Sequence, residues 1–221
     1  MLLHVVSSLK TCLFLVSKRG ASKRWVQQQS SDPYVKRRVE AGLRSRAAFK
    51  LEELLAKDRL ISHGNIVVDL GAAPGGWAEI VTKLVGKSGR VIAVDLLNID
   101  PIDGVDVLKG DVCDSAVISQ VVELTGKNMA HLVLSDMAPN ITGIRDADEA
   151  NFLDIADAVL EVASVALRPG GALILKMFQF PGTDAFIKGL RERFTTISRR
   201  KPPASRKQSR EFYVVASGYR L

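Results

Sequence analysis

The stretch Ile66-Val67-Val68-Asp69-Leu70-Gly71-Ala72-Ala73-Pro74-Gly75-Gly76-Trp77 constrains this chain more than any other. Its first residues suit a short strand covered on both faces, and the glycines behind them let backbone approach a ligand where a Cβ would intrude. From Trp77 to Leu84 the apolar spacing turns helical. The sequence therefore predicts strand, tight turn and helix, with N–H groups at the helix start able to face a bound group. Ala72 and Ala73 break the G-x-G-x-x-G spacing, which disfavours a dinucleotide, and no Walker lysine follows Gly75-Gly76, which disfavours a nucleoside triphosphate. A nucleoside-bearing cofactor is left, against the plain alternative of a turn with no ligand.

The same alternation continues along the chain. Strands are predicted over 66–70, 90–96, 105–109, 131–136, 172–178 and 212–218, and helices over 34–58, 77–85, 115–125, 148–167 and 183–194. This is a doubly wound α/β pattern, and 221 residues, 47% of them hydrophobic, suffice for one such domain over 32–221. Residues 1–31 hold five lysines and arginines but no Asp or Glu, which predicts a disordered basic arm, or else a mitochondrial targeting segment.

A net charge of +7 points to a polyanionic partner, and its placement says more than its size. Lys36, Arg37, Arg38, Arg44 and Arg46 precede the first strand; Arg199, Arg200, Lys201, Arg206, Lys207 and Arg210 precede the last. Two clusters bracketing one pocket suit contacts to RNA phosphates, although a solvated face is the ordinary reason for such runs. With only Cys12 and Cys113, and three scattered histidines, neither a disulfide framework nor a metal cluster is expected, and a reducing compartment fits. No apolar run is long enough to span a membrane.

In open parallel sheets ligands bind outside the carboxyl ends of strands, and four predicted strands finish in or beside an acid: Asp69, Asp95, Asp111 and Asp136. Asp95 stands where a carboxylate accepts from a ribose diol. Asp111, one strand further, suits an adenine amine or a cap for the helix at Ser115. Lys176 ends an apolar strand, an expensive place for a cation without a partner, and Asp136 is the natural one. If the last strand runs antiparallel, Glu211 joins them at the same rim.

These motifs, with Leu43 to Lys50, Ser135 to Asn140, Lys176 to Gln179 and Ser205 through Tyr213, closely resemble the FtsJ/RrmJ (RlmE) family of ribosomal RNA 2′-O-ribose methyltransferases, over roughly residues 23–221. The resemblance implies a Rossmann-like methyltransferase fold, mostly parallel with an antiparallel C-terminal strand. It implies a Lys50, Asp136, Lys176, Glu211 catalytic tetrad, of which Lys50 comes from the resemblance alone. It also implies S-adenosyl-L-methionine held through Gly71, Pro74, Gly75, Gly76 and Trp77, with Asp95 toward the ribose, Asp111 toward adenine and Asp136 near the methionine end.

The expected reaction is methylation of a uridine 2′-hydroxyl in large-subunit ribosomal RNA, within the assembled particle, by a cytoplasmic monomer. Mitochondrial ribosomal RNA or transfer RNA, with a matrix location, is the alternative target. Burial and Lys50 favour a neutral Lys176 amine that acts as a base, whereas Asp136 and Glu211 favour an ammonium that orients the hydroxyl. Rival classes are a dinucleotide oxidoreductase and a non-catalytic ribosome-assembly factor.

Overall fold

The computed structural model describes residues 33–206 and 208–220; the basic arm, Lys207 and Leu221 lie outside them. At the N-terminal side two helices, α1 (Pro33–Glu40) and α2 (Ala47–Leu55), stand where the periodicity predicted one. The break is a Schellman motif. Gly42 takes φ +63°, its N–H donates to the Val39 carbonyl at 3.2 Å, and the Leu43 N–H donates to the Arg38 carbonyl at 3.0 Å.

Seven strands form one sheet: β1 (Ile66–Leu70), β2 (Arg90–Asp95), β3 (Val105–Lys109), β4 (Ala130–Ser135), β5 (Leu167–Phe178), β6 (Phe194–Arg200) and β7 (Glu211–Tyr219). Their order is β3-β2-β1-β4-β5-β7-β6. The strands from β3 across to β5 pair in parallel, whereas β7 runs antiparallel to both neighbours. The chain reverses direction across the sheet between β1 and β4, so a crevice opens at their carboxyl ends, where Asp69 and Asp136 lie.

Alternation along the strands divides the core into two layers. On one face α2 and α3 (Gly76–Val85) bring Leu51, Leu54, Trp77 and Val81 onto Val67, Leu132, Ile174 and Tyr213. On the other, α4 (Ser115–Thr125), α5 (Arg145–Ala166) and α6 (Thr183–Leu190) cover Val68, Val133, Leu173 and Val214. Asp114, not Asp111, caps α4, its side chain accepting from the Ala116 N–H at 2.9 Å.

One further expectation changes. The predicted helix over 183–194 stops at Leu190, and β6 follows as an edge strand whose Thr, Ser and Arg side chains carry almost no apolar period; the β7 ladder holds it in place. The Pro202-Pro203 stretch after it is pinned to the rest of the fold. Ala204 is 1% exposed, its N–H donates to Glu53 Oε2 at 2.8 Å, and its carbonyl accepts from Arg46 Nη2 at 2.6 Å. Among the described residues no helix is long and apolar enough to cross a membrane.

Candidate active site

The turn after β1 is held by β2: the Gly71 and Ala72 N–H groups both donate to the Val94 carbonyl, at 2.8 and 3.1 Å. Gly71 sits at φ +74°, and Gly75, the residue before α3, at φ +100°, a region open to glycine but strained for other residues. Each glycine has its own reason to lack a side chain. A Cβ on Gly71 would lie 2.1 Å from Met137 Cγ, and one on Gly76 would lie 2.8 Å from Ser45 Cβ, so Gly76 lets the segment before α2 cross the turn. Gly75 faces Ile99, Ile102 and Arg44.

A cavity of about 240 Å³ opens outside β1, β2 and β3, with Gly71, Asp95, Asp111, Asp136 and Met137 among its walls. Asp95 is fixed by two backbone donors, Ala73 N–H to Oδ2 and Leu97 N–H to Oδ1, both at 2.8 Å. Each carboxylate oxygen has a second lone pair, which leaves acceptor capacity for a diol. Asp111 Oδ1 accepts from the Cys113 N–H at 2.9 Å. A narrow cleft continues from this cavity between Ser45, Pro74 and Trp77, with Asp69 and Asp136 lining it. Trp77 lines this cleft and also braces it, since its Nε1–H donates to the Ala47 carbonyl at 2.7 Å and ties α2 to the turn.

Asp69 was recognised in the sequence only as a strand end. Its side chain is buried, and Oδ2 has no hydrogen-bond partner. Burial, with the charges of Asp136 and Asp95 beyond it, pushes its carboxyl up to about 8, against a smaller downward pull from the Ala78 N–H. A cavity walled by Asp95, Asp111 and Asp136, with Asp69 in the cleft beyond it, suits a ligand that carries positive charge and hydroxyl or amine donors.

Gly71 gives the first prediction. Gly71→Ala forces Met137 aside and strains a positive φ, which should cost about 2 kcal/mol of stability. Urea unfolding measures it, and an unchanged midpoint would mean that Met137 moves away freely.

At the other end of the crevice the carboxyl ends of β4 and β5 meet the start of β7. Lys176 Nζ lies 3.1 Å from Asp136 Oδ1 and also donates to the Asp136 carbonyl; Lys50 Nζ on α2 lies 2.7 Å from Glu211 Oε1. The four side chains meet as two ion pairs, each 9 to 20% exposed. Antiparallel pairing sets this up: β7 puts Tyr213 opposite Lys176 and Glu211 opposite Phe178.

Tyr213 is a site residue the sequence reading missed. Its hydroxyl donates to Asp136 Oδ1 at 2.6 Å, and Lys50 Nζ stands 5.7 Å from its ring centroid. The signal was the two-residue strand period, which places Tyr213 on the same face as Glu211. Burial and the Asp136 charge raise the Tyr213 hydroxyl well above its ordinary value, so it is a donor at neutral pH. Burial pushes the Glu211 carboxyl up, but the charge and hydrogen bond of Lys50, with smaller contributions from Ser205 and Lys176, outweigh it and hold the group below the ordinary glutamate value.

A pocket of about 380 Å³ opens above this pair, lined by Arg46, Lys50, Arg206, Gln208, Ser209 and Glu211. The basic clusters divide around it. Arg38, Arg44 and Arg46 line an adjoining pocket. Arg200 instead forms a two-pronged pair with Asp58, both contacts at 3.1 Å, Arg199 pairs with Asp184, and Lys201 donates to the Ser209 carbonyl. Lys36, Arg37 and Arg210 stay exposed.

A crevice at the β1/β4 reversal, an acid-walled cavity and a lysine-carboxylate rim beside it on this strand order define a Rossmann-like methyltransferase. Solved structures agree on the fold. A ribosomal RNA methyltransferase from Plasmodium falciparum superposes with TM-score 0.72 at 26% identity, covering 80% of this chain and 98% of its own. Fibrillarin from Aeropyrum pernix, solved with S-adenosyl-L-methionine bound, gives TM-score 0.55 at 16% identity over 76% of this chain and 75% of its own. The FtsJ-like methyltransferase family model matches residues 43–219, and the chain belongs to that family. Ribosomal RNA large subunit methyltransferase E of Xanthomonas euvesicatoria pv. vesicatoria (strain 85-10) is 47% identical over 205 residues, 93% of this chain and 98% of the relative.

Proposed function

We propose that the chain transfers a methyl group from S-adenosyl-L-methionine to a uridine 2′-hydroxyl of large-subunit ribosomal RNA, within the assembled subunit. The observation that carries this reading is the Lys176–Asp136 pair at the junction of the two halves, since Asp136 lines both the cofactor cavity and the cleft that runs toward the acceptor pocket. The relatives' identity supports ribosomal RNA as the acceptor.

The residues fit the cofactor: Gly71 is a cradle a Cβ would disturb, Asp69 holds an unpartnered buried oxygen, and Asp95 and Asp111 keep acceptor capacity for ribose and adenine. When bound, the cofactor supplies an electrophilic methyl on a sulfonium, already a good leaving group. What the protein adds is alignment of the hydroxyl oxygen, whose proton passes to solvent as the new O–CH3 bond forms and the sulfonium S–CH3 bond breaks. Lys176 donates to two acceptors, the Asp136 carboxylate and carbonyl, and its remaining N–H faces one lone pair of the acceptor oxygen. Asp136 is itself held by Tyr213, and Lys50 and Glu211 wall the acceptor side.

The test supplies purified chain and radiolabelled cofactor to naked large-subunit RNA and to assembled subunits, then maps the product. One 2′-O-methyluridine, formed faster on subunits, is expected. Label in a base, in transfer RNA or nowhere would overturn the assignment.

A further inference from the structure

Two arginine-lined pockets meet at Arg46, which lines both. The acceptor pocket holds Arg46 and Arg206; the second, of about 270 Å³, lies between Val35 and Arg38 of α1, the Arg44–Arg46 segment and Pro74. In the second pocket Arg38 Nε is buried with no hydrogen-bond partner, a costly state for a charged donor. Arg44 donates to the Asp100 and Pro101 carbonyls at 2.9 and 2.7 Å, which fixes its guanidinium without cancelling its charge. In the first pocket Lys50 already claims Glu211, and burial and the nearby Arg206 charge both pull the Arg46 guanidinium below its ordinary value. Each pocket is thus a concentration of guanidinium charge that a single phosphate would relieve.

The depth of the site adds a second constraint. Lys50 is 9% exposed, and the Lys176 side chain is also 9% exposed, so an acceptor hydroxyl reaches them only by entering the pocket. A nucleotide stacked and paired in a helix cannot insert its ribose that far; an unpaired one can.

We infer that the two pockets hold successive phosphates of one unpaired RNA strand, one between Arg46 and Arg206 and the next in the pocket of Arg38, Arg44 and Ser45, with the strand turning at Arg46. The inference rests on the reading of the chain as an RNA methyltransferase. It makes Arg38 and Arg206 separate phosphate contacts, although they are far apart in sequence.

Salt titration of binding counts such contacts, because each single-strand phosphate neutralised contributes a slope of about 0.7 in log K against log salt. A fluorescein-labelled single-stranded oligoribonucleotide is titrated by anisotropy against wild type, Arg38→Gln, Arg206→Gln and the double variant. Each single variant is expected to lose about 0.7 from the slope and the double variant about 1.4. S-adenosylmethionine affinity by calorimetry and the melting temperature should stay at wild-type values in Arg38→Gln.

A wild-type slope in Arg38→Gln, or a double variant no lower than either single, overturns the two-phosphate clamp. Loss of cofactor affinity in Arg38→Gln overturns it too, by assigning the second pocket to the cofactor. A wild-type chain with no salt-dependent RNA binding overturns the RNA reading itself, a result distinguishable from the others.

Discussion

Lys176→Ala should lower methyl-transfer turnover by roughly 10²- to 10⁴-fold, the range seen when a positioned proton-transfer or orienting group is removed, while cofactor affinity stays close to wild type. Lys176 sits on β5 beyond the cofactor walls and touches Asp136 by both side chain and backbone. Its loss removes the donor that fixes the acceptor oxygen but leaves Asp95, Asp111 and the glycine turn intact.

Asp136 would keep the Tyr213 hydroxyl as a partner, so the fold should survive. Lys176→Arg separates the two chemical roles. An arginine still donates to Asp136 and to an acceptor oxygen but cannot serve as a base, so retained partial activity supports orientation. Single-turnover rates with saturating RNA, paired with calorimetric cofactor binding, measure both variants. Near-normal turnover in Lys176→Ala would remove this residue from the reaction.

Asp69→Asn should change how stability depends on pH. The Asp69 carboxyl ordinarily titrates near 3.8 and is raised to about 8 in the folded chain. Between those values the folded state holds a proton that the unfolded state has released. Its contribution is therefore complete below the unfolded value, falls as pH rises, and is lost once pH passes the folded value.

The full span is on the order of a few kcal/mol, because one pKa unit is worth about 1.4 kcal/mol and denaturation reports only part of so large a shift. Asparagine stays neutral throughout. The cofactor-free variant should lose this downward slope between about pH 4 and 8 and be the more stable protein at pH 8 and above, with the gap closing in acid. Urea unfolding across that range checks it, and parallel curves would mean that Asp69 is already ionised in the fold.

How much of this was legible in the chain follows from the range of each signal. The strand, turn and helix from Ile66 to Val85 announce themselves because local apolar period and glycine placement share one short window, and the strand-end acids follow from the same alternation. The break at Gly42 was also local, since an Ala-Gly pair after a basic helical turn is a C-terminal signal; continuing helical spacing from Ala47 masked it. Strand β6 was not legible. Its Thr, Ser and Arg residues have no periodic apolar face, and only the hydrogen-bond ladder of β7 makes them a strand.

The candidate site divides along the same line. Asp136 and Lys176 could be paired from sequence because parallel neighbours β4 and β5 both end at the rim. Lys50 and Tyr213 could not. Lys50 approaches from a helix on the sheet face, and the Tyr213 contact needs the β5–β7 register to be known.

The sequence by itself determined the order of strands and helices from β1 to α6, the glycine turn, and the set of acids and lysines at the strand ends, since these depend on neighbours a few residues apart. Only the tertiary structure decided that Arg200 is bound to Asp58 while Arg38, Arg46 and Arg206 line pockets, and that Asp69 is buried with an oxygen unsatisfied. Charge and burial at those atoms are set by partners on other elements, 142 residues away in the case of Arg200 and Asp58, and only packing fixes which groups lose water and which find a counter-charge.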